Sequence, residues 1–331
     1  MHPHRTIHRR DCAQRPVLRP RRRRLPPAVR FATVLLAAPA SLAGWNPPAQ
    51  SGYVPERVYD TARGAFVDFE IMLLDLTRGD VVLVGEQHDD RNTHRLELAL
   101  LEGLRRRRGD VIVSLEMFER DVQAPLDRFA GGELTEEDFL ASARPWPRYR
   151  TDYKPLVDFV IAHEWPVVAA NVPRPMASEV SKGGFAVLDG TPDDERRWFA
   201  ADRLCPTDDE YYRRFVEAMG DHPAGGAAAE ATAEAQARNY YASQCLKDET
   251  MAESIARAYE AGAAGDAQPV VVHFTGAFHS DFGLGTAARV RRRLPDRRTI
   301  VISILPVEDI DAVTPDDEAR RRAEYLVYTT R

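Results

Sequence analysis

Cysteine is scarce in this chain of 331 residues, which contains only Cys12, Cys205 and Cys245. Neither Cys205 nor Cys245 has a second cysteine or a histidine at the spacing of zinc ligands, so these two do not form a zinc site. Cys12 lies in a basic N-terminal segment that resembles a removable export signal. In an oxidising compartment the remaining two thiols can pair, and we expect a disulfide between Cys205 and Cys245.

The chain also lacks a long apolar run and a basic surface. The apolar run at residues 31–43 is far shorter than the roughly 20 residues needed to span a bilayer. Residues 1–43 hold ten arginines and one acid, Asp11, so the rest of the chain has 35 basic and 50 acidic residues, a formal net charge of −15. This acidic body excludes a nucleic-acid footprint. The apolar fraction of 44% supports a substantial core.

The N-terminal segment has the layout of a secretory signal peptide. Arginines at 21–24 and at Arg30 precede the apolar run, and Ser41-Leu42-Ala43 offers a small-x-small cleavage signature before Gly44. The alternative is a disordered basic tail on a cytosolic protein. Trp45 stands where a lipoprotein signal would carry its cysteine, so no thiol is available there for lipidation.

We therefore divide the chain into a signal peptide at 1–43, a leader at 44–57 and a single domain at 58–331, and expect a periplasmic or secreted protein. Within the domain, short β-branched runs alternate with amphipathic segments. The predicted strands are residues 81–84, 111–113, 167–170, 270–272 and 299–304, the last of which we expect to be the final core strand.

Strands separated by helices indicate crossover connections, and hence an α/β fold with a mostly parallel sheet and flanking helices. Leu96, Leu100, Leu101 and Leu104 form the apolar stripe of the first such helix. Residues 174–264 show no comparable strand and predict a helical insertion over the sheet, with a capping box at 207–210 and a long helix at 227–263.

Polar residues follow four of the predicted strands, at the point where each strand ends. Ligands bind beyond the carboxyl ends of parallel strands in open sheets, so these side chains are expected to converge on one pocket. They are Glu86, His88, Glu116, Asn171, Arg174 and His279.

Each of these residues alone is a weak signal, because a polar residue after a strand is usually a solvated loop residue or a helix cap. Gly85 and Gly276 strengthen the arrangement, since glycine permits an unusual backbone at a turn. His273 lies inside an apolar run and is interpreted as a core histidine. His94 is expected on the exposed first turn of a helix.

Five sequence blocks carry a family resemblance. They are Val82-Leu83-Val84-Gly85-Glu86-Gln87-His88-Asp89, Ser114-Leu115-Glu116-Met117-Phe118-Glu119, residues 146–153, Asn171-Val172-Pro173-Arg174 and Gly276-Ala277-Phe278-His279. In this order they resemble the ChaN-like haem-binding uptake proteins, within the superfamily that includes the TIKI proteases and erythromycin esterases. The resemblance extends over roughly residues 58–304.

The resemblance implies haem as a cofactor with a tyrosine as the iron ligand. Tyr149 and Tyr153 lie in a matching block, whereas Tyr211, Tyr212, Tyr240 and Tyr241 lie in the helical insertion. Arg174 is expected to bind a haem propionate by charge-assisted hydrogen bonds. An envelope uptake receptor and a homodimer are the partners that fit this interpretation.

Related enzymes of the superfamily imply a second possibility, a hydrolase assisted by a divalent metal. By position, Glu86, His88, Glu116 and His279 would be its catalytic residues, and Glu86, His88 and His279 its metal ligands. A mixed set of imidazole and carboxylate does not select one metal. An inherited but inactive site is a third possibility. We favour haem or iron uptake over the metal-assisted hydrolase.

Export is the first testable prediction. Because the basic segment and apolar run resemble a signal peptide, the mature N-terminus should lie close to Gly44, and the protein should fractionate with the periplasm or the medium. N-terminal sequencing of the fractionated protein checks this. Recovery of the intact N-terminus from the cytosol would contradict it.

Overall fold

The computed structural model describes residues 53–220, 227–264 and 267–331, without the side chains of residues 227–232. The predicted signal peptide at 1–43 and most of the leader lie outside the described residues. The strands are β1 (Glu56–Asp60), β2 (Ala65–Val67), β3 (Val81–Glu86), β4 (Val111–Glu119), β5 (Val167–Asn171), β6 (Val270–Gly276), β7 (Thr299–Val307) and β8 (Tyr325–Thr330).

Ten α-helices occur in the described ranges, together with short 3₁₀ turns and a π-helical turn at Tyr149–Tyr153. The α-helices are α1 (Phe69–Leu76), α2 (Arg91–Arg105), α3 (Gln123–Ala130), α4 (Glu136–Ala143), α5 (Lys154–Ala162), α6 (Arg174–Gly183), α7 (Glu210–Met219), α8 (Ala227–Gly262), α9 (Gly285–Arg293) and α10 (Asp317–Arg320). No helix among the described residues is long and apolar enough to cross a membrane.

The eight strands form one sheet in the order β2-β1-β8-β7-β3-β6-β4-β5. Strands β3 to β8 pair in parallel, and β1 is antiparallel to both of its neighbours. The predicted α/β class with a mostly parallel sheet is therefore confirmed. The expectation that residues 299–304 form the final strand is wrong, because β8 follows β7 and joins it to the antiparallel edge.

Both faces of the sheet are covered. Val82 and Val84 of β3 pack into a core that includes α1, α2 and α5, whereas Val81 and Leu83 pack on the opposite side, against α8 and α9. Successive strand residues point to opposite faces, so a continuous run of apolar residues produces two cores. The leucine stripe predicted on α2 is buried in the first core.

The carboxyl half of helix α8 packs on the second face of the sheet. The long helix predicted at 227–263 ends within one residue of the observed boundary. Ala252, Ile255, Ala256 and Tyr259 have the spacing of one helical face and pack on the sheet. The capping box predicted at 207–210 is displaced, because Asp209 caps α7 by accepting a hydrogen bond from the Tyr212 amide at 2.8 Å.

A disulfide joins Cys205, in the loop before α7, to Cys245 of α8, with 5.9 Å between their Cα atoms. The two cysteines are 40 positions apart. Closing a loop of this length stabilises a fold by about 4 kcal/mol in the chain-entropy description. The bond therefore ties the loop before α7 to α8.

Candidate functional site

A cavity of about 920 Å³ opens beyond the carboxyl ends of the central strands. Its volume lies within the usual range for small-molecule sites. Its lining includes Glu86, His88, Glu116, Trp146, Asn171, Arg174, Tyr211, Lys247, Phe278 and His279. The structure thus brings all four predicted catalytic residues and Arg174 to one cavity.

Strand geometry explains this convergence. Glu86 is the last residue of β3 and Gly276 the last of β6, and the two are register partners. Glu116 lies in β4, where the pairing with β5 is irregular between Leu115 and Glu119. Such an irregularity re-aims a side chain, and here it accompanies a glutamate that faces the cavity.

Two glycines allow the loops to approach closely. A Cβ atom on Gly85 would lie 2.7 Å from Ser280 Oγ and 3.0 Å from Ala277 Cα. A Cβ atom on Gly276 would lie 2.7 Å from His88 Nε2. Neither glycine is among those with a positive φ. The prediction that these two glycines permit an unusual backbone conformation is therefore wrong. Glycine is needed at both positions because a side chain would collide with the neighbouring loop.

Glu116, His279 and Asp248 form a buried chain of charged groups. Glu116 Oε2 accepts hydrogen bonds from Thr275 Oγ1 at 2.6 Å and from the Gly276 amide at 2.8 Å, and its Oε1 lies 3.3 Å from His279 Nε2. His279 Nδ1 donates to Asp248 Oδ1 at 2.7 Å. One imidazole thus bridges carboxylates from β4 and α8.

The charged forms of Glu116, His279 and Asp248 stabilise one another. Burial disfavours the imidazolium, but Glu116 and Asp248 overcome that effect and raise the pKa of His279 to about 10. Burial also opposes ionisation of Glu116, yet His279 keeps the pKa of that carboxyl below its usual range. At neutral pH, His279 is therefore a fixed cation and a hydrogen-bond donor, and it holds no free nitrogen for general-base chemistry.

A second polar pair lies on the other side of the cavity. His88 Nδ1 donates to Glu86 Oε1 at 2.6 Å, and the Tyr153 hydroxyl donates to the same oxygen at 2.9 Å. His88 packs edge-on against Trp146, with 5.0 Å between ring centroids. The His88 side chain is 47% exposed, whereas that of Glu86 is fully buried. Glu86 therefore orients an imidazole that is open to the cavity.

The two tyrosines expected to bind haem do not line the cavity. Tyr149 and Tyr153 are buried in the first core, because the π-helical turn directs them towards the sheet. Burial raises the pKa of both phenols, and Glu86 adds to the effect at Tyr153. Their placement gives no support to a ligand role. Tyr211 lines the cavity instead, but its hydroxyl donates to Asp248 Oδ2 at 2.6 Å.

Arg174 reaches the cavity but already has partners. Its Nε donates to Glu119 Oε1 at 2.5 Å, and its terminal nitrogen donates to the Arg144 carbonyl. Arg214 and Arg322 also line the cavity, and each is paired with a carboxylate. Among the described cations of the lining, Lys247 alone has no hydrogen-bond or ion-pair partner.

Two histidines outside the predicted set, His273 and His94, are both buried. His273 is fully buried in β6 beside Ser114 Oγ at 2.9 Å, and burial lowers its pKa to about 4. It does not line the cavity, in agreement with its interpretation as a core residue. His94 was expected on an exposed turn and is instead buried, with 4% of its surface exposed.

The metal ligands expected from sequence were Glu86, His88 and His279. In the described part of the chain, the group that brings three potential ligand atoms within 4.8 Å of one another is a different one: Glu86, His94 and Glu97. Glu86 is common to both sets. The other members of the observed group lie on α2, behind the cavity wall.

Three residues that shape the site were not predicted from sequence: Glu97, Lys247 and Asp248. Glu97 follows His94 by one helical turn, a spacing that places both on one face. Lys247 and Asp248 belong to the helical segment between β5 and β6, where the alanine-rich composition gave no local signal of a site, although Tyr211 of the same segment was noted as a possible haem ligand. Their positions depend on how α7 and α8 pack on the sheet.

The chain belongs to the family described as haem-binding uptake, Tiki superfamily, ChaN, which matches residues 72–290. A ChaN structure from Campylobacter jejuni, described as showing cofacial haem binding, is 15% identical, covers 83% of this chain and 97% of its own, and has a TM-score of 0.60. At this identity the likeness shows a shared fold.

Two further solved structures are more distant. A Bacillus cereus protein is 10% identical, with a TM-score of 0.45 and coverage of 77% of this chain and 89% of its own. A mutant erythromycin esterase in its open conformation is 11% identical, with a TM-score of 0.41 and coverage of 83% of each chain. No curated protein matches the chain at the level of sequence.

The buried group of Glu116, His279 and Asp248 predicts that the protein becomes less stable at alkaline pH. The pKa of His279 is about 10 in the folded protein and about 6.5 in an unfolded chain. Its stabilising contribution is therefore fully present below about pH 6.5 and is lost as the pH rises through about 10. Denaturant unfolding of the wild-type protein between pH 6 and pH 10 measures this loss.

The His279→Gln variant should lack this alkaline decline. At neutral pH it should be less stable by about 3–5 kcal/mol, since two buried carboxylates lose their cation. His163→Gln, at the end of α5, is the matched control and should keep the wild-type profile. A wild-type stability that is flat from pH 6 to pH 10 would contradict the assignment of charge to His279.

Proposed function

We propose that the chain binds haem in the cavity beyond the carboxyl ends of the strands, and that it is an exported protein of haem or iron uptake. Family membership and the likeness to a haem-binding fold support the first part. The N-terminal basic and apolar segments support the second. The observation that carries the haem proposal is the lining of the cavity, which combines aromatic walls, an oriented imidazole and an unpaired cation.

The apolar part of the lining suits a flat macrocycle. Trp146, Phe215 and Phe278 supply aromatic surface, and Met219 and Leu284 add flexible and aliphatic surface. Haem needs such a surface for its porphyrin, together with a ligand for iron and cations for its propionates. The cavity volume of about 920 Å³ is ample for a cofactor-sized molecule.

His88 is our candidate for the iron ligand. Its Nδ1 is held by Glu86 at 2.6 Å, and no described residue forms a hydrogen bond with its Nε2. An imidazole whose second nitrogen is bound to a carboxylate is fixed in orientation and made more basic, as in many metal sites. The Tyr211 hydroxyl is less suitable, because it is engaged by Asp248 at 2.6 Å and by Gln244 at 3.2 Å.

Lys247 is our candidate for a propionate partner. It lies on α8, lines the cavity and has no partner of its own. A carboxylate placed beside it would gain a charge-assisted hydrogen bond without breaking an existing ion pair. Arg174 could contribute only through the part of its guanidinium that Glu119 and the Arg144 carbonyl leave free.

Titration of the purified, untagged chain with ferric haem, followed by absorbance, tests the proposal. The wild-type protein should saturate at one haem per cavity. His88→Gln should change the spectrum and weaken binding at least tenfold, since it removes the iron ligand. Lys247→Gln should weaken binding about fivefold without changing the spectrum, the effect of losing about 1 kcal/mol.

Controls separate the candidate ligands. Tyr149→Phe and the remote His163→Gln should leave the iron spectrum unchanged, and Tyr153→Phe, which removes only a donor to Glu86, should keep the iron bound. If Tyr211→Phe abolishes the spectrum while His88→Gln does not, the ligand is a tyrosinate and the assignment to His88 is wrong. Absence of saturable haem binding in the wild-type protein would reject the function itself.

A further inference from the structure

A separate polar cluster lies behind the cavity wall, on the first two turns of α2. His94 and Glu97 are three residues apart and face Glu86, at the end of β3. Their exposed fractions are 4%, 0% and 2%. His94 Nδ1 lies 3.0 Å from Glu97 Oε2 and 3.8 Å from Glu86 Oε2. The cluster is not used in the proposed haem site, apart from the shared Glu86.

The hydrogen bonds around His94 define which of its nitrogens is free. His94 Nε2 lies 3.2 Å from the main-chain carbonyl of His88, which can only accept a hydrogen bond. Nε2 therefore carries the proton, and in the neutral imidazole the lone pair is on Nδ1. Nδ1 faces Glu97 Oε2 and Glu86 Oε2, and burial beside Glu86 and Asp152 raises the pKa of Glu97 well above its usual range, so in the metal-free cluster these groups share a proton held by Glu97.

Two oxygens of this cluster are unpartnered within the described structure. Glu86 Oε2 and Glu97 Oε1 are buried and have no hydrogen-bond donor. Glu86 uses its other oxygen to accept from His88 and Tyr153. Buried acceptors without donors are costly unless a cation lies between them. The Glu86, His94 and Glu97 side chains thus form a cradle around a position that a shared proton occupies in the metal-free protein and that a divalent cation could take instead.

We propose that Glu86, His94 and Glu97 bind a divalent transition metal, for which zinc is the probe. In a tetrahedral site with metal–ligand bonds of about 2.0–2.2 Å, ligand atoms are about 3.4 Å apart. The observed separations of 3.0 and 3.8 Å lie on either side of that value. One imidazole and two carboxylates are suitable ligands for zinc or manganese, and a divalent ion neutralises both carboxylates.

The surroundings fit a metal site. The proton on His94 Nε2 is directed at a carbonyl, with Asp152 Oδ2 3.7 Å away, and such contacts fix the orientation of a ligating histidine. Arg148 lies 2.6 Å from Asp152 and so compensates that third carboxylate. The ion would be buried and structural, and it would hold the start of α2 against the end of β3.

Zinc binding by the full, untagged chain tests this inference. The protein is stripped with a chelator, equilibrated with Zn²⁺ and separated from free ion, and bound zinc is measured by mass spectrometry alongside thermal unfolding. The wild-type protein should take up one zinc per chain and unfold at a higher temperature with zinc than without. Saturating haem should not displace this zinc, since the two sites use different ligands.

Glu97→Gln and His94→Gln should each weaken zinc binding at least tenfold. Burial and the neighbouring Glu86 raise the pKa of Glu97 and keep it protonated, so Glu97→Gln replaces a neutral carboxyl with an amide of the same size, and the metal-free variant should be about as stable as the metal-free wild-type protein. Its loss of zinc therefore could not be attributed to unfolding. Glu102→Gln, on the exposed face of the same helix, is the matched control and should retain zinc.

Two results would overturn the inference. The first is a wild-type protein that takes up no zinc, which would mean that a proton occupies the cradle. The second is unchanged zinc affinity in both Glu97→Gln and His94→Gln. Neither depends on whether haem binds.

Discussion

The bridge that His279 forms between Glu116 and Asp248 is the interaction on which the arrangement of the site depends. Two carboxylates, Glu116 and Asp248, are buried near the carboxyl ends of the strands, and a cation between them favours the ionised form of both. His279 supplies the charge at 3.3 and 2.7 Å. Because Glu116 belongs to β4, His279 follows β6 and Asp248 lies on α8, this one imidazole fixes the long helix over the sheet and thereby shapes the cavity wall.

Glu86 divides the polar groups of the site into two sets. One oxygen holds His88, which is open to the cavity, while the other faces the interior and His94. A single side chain at the end of β3 can therefore orient a ligand for a small molecule on one side and contribute to a buried ion on the other. Loss of Glu86 should consequently affect both sites, whereas loss of Glu97 should affect only the inner one.

The fold and the location of the cavity were predictable from sequence, because both depend on local patterns. Buried strands appear as β-branched runs, and parallel strands must bring their carboxyl ends together, so Glu86 and His279 could be placed at one edge. The orientation of other groups was not predictable. The π-helical turn sends Tyr149 inwards, and Asp248 reaches His279 only through the packing of α8. His94 was misjudged because polar residues on an amphipathic helix usually face solvent.

The central claim is that the cavity built on the Glu116–His279–Asp248 chain holds haem through His88. Anomalous diffraction at the iron absorption edge, from crystals of the haem-loaded protein, tests it most directly. The account predicts one iron peak inside the cavity, within bonding distance of His88 Nε2. An iron peak outside the cavity, or one bonded to a different side chain with His88 still paired only to Glu86, would contradict it.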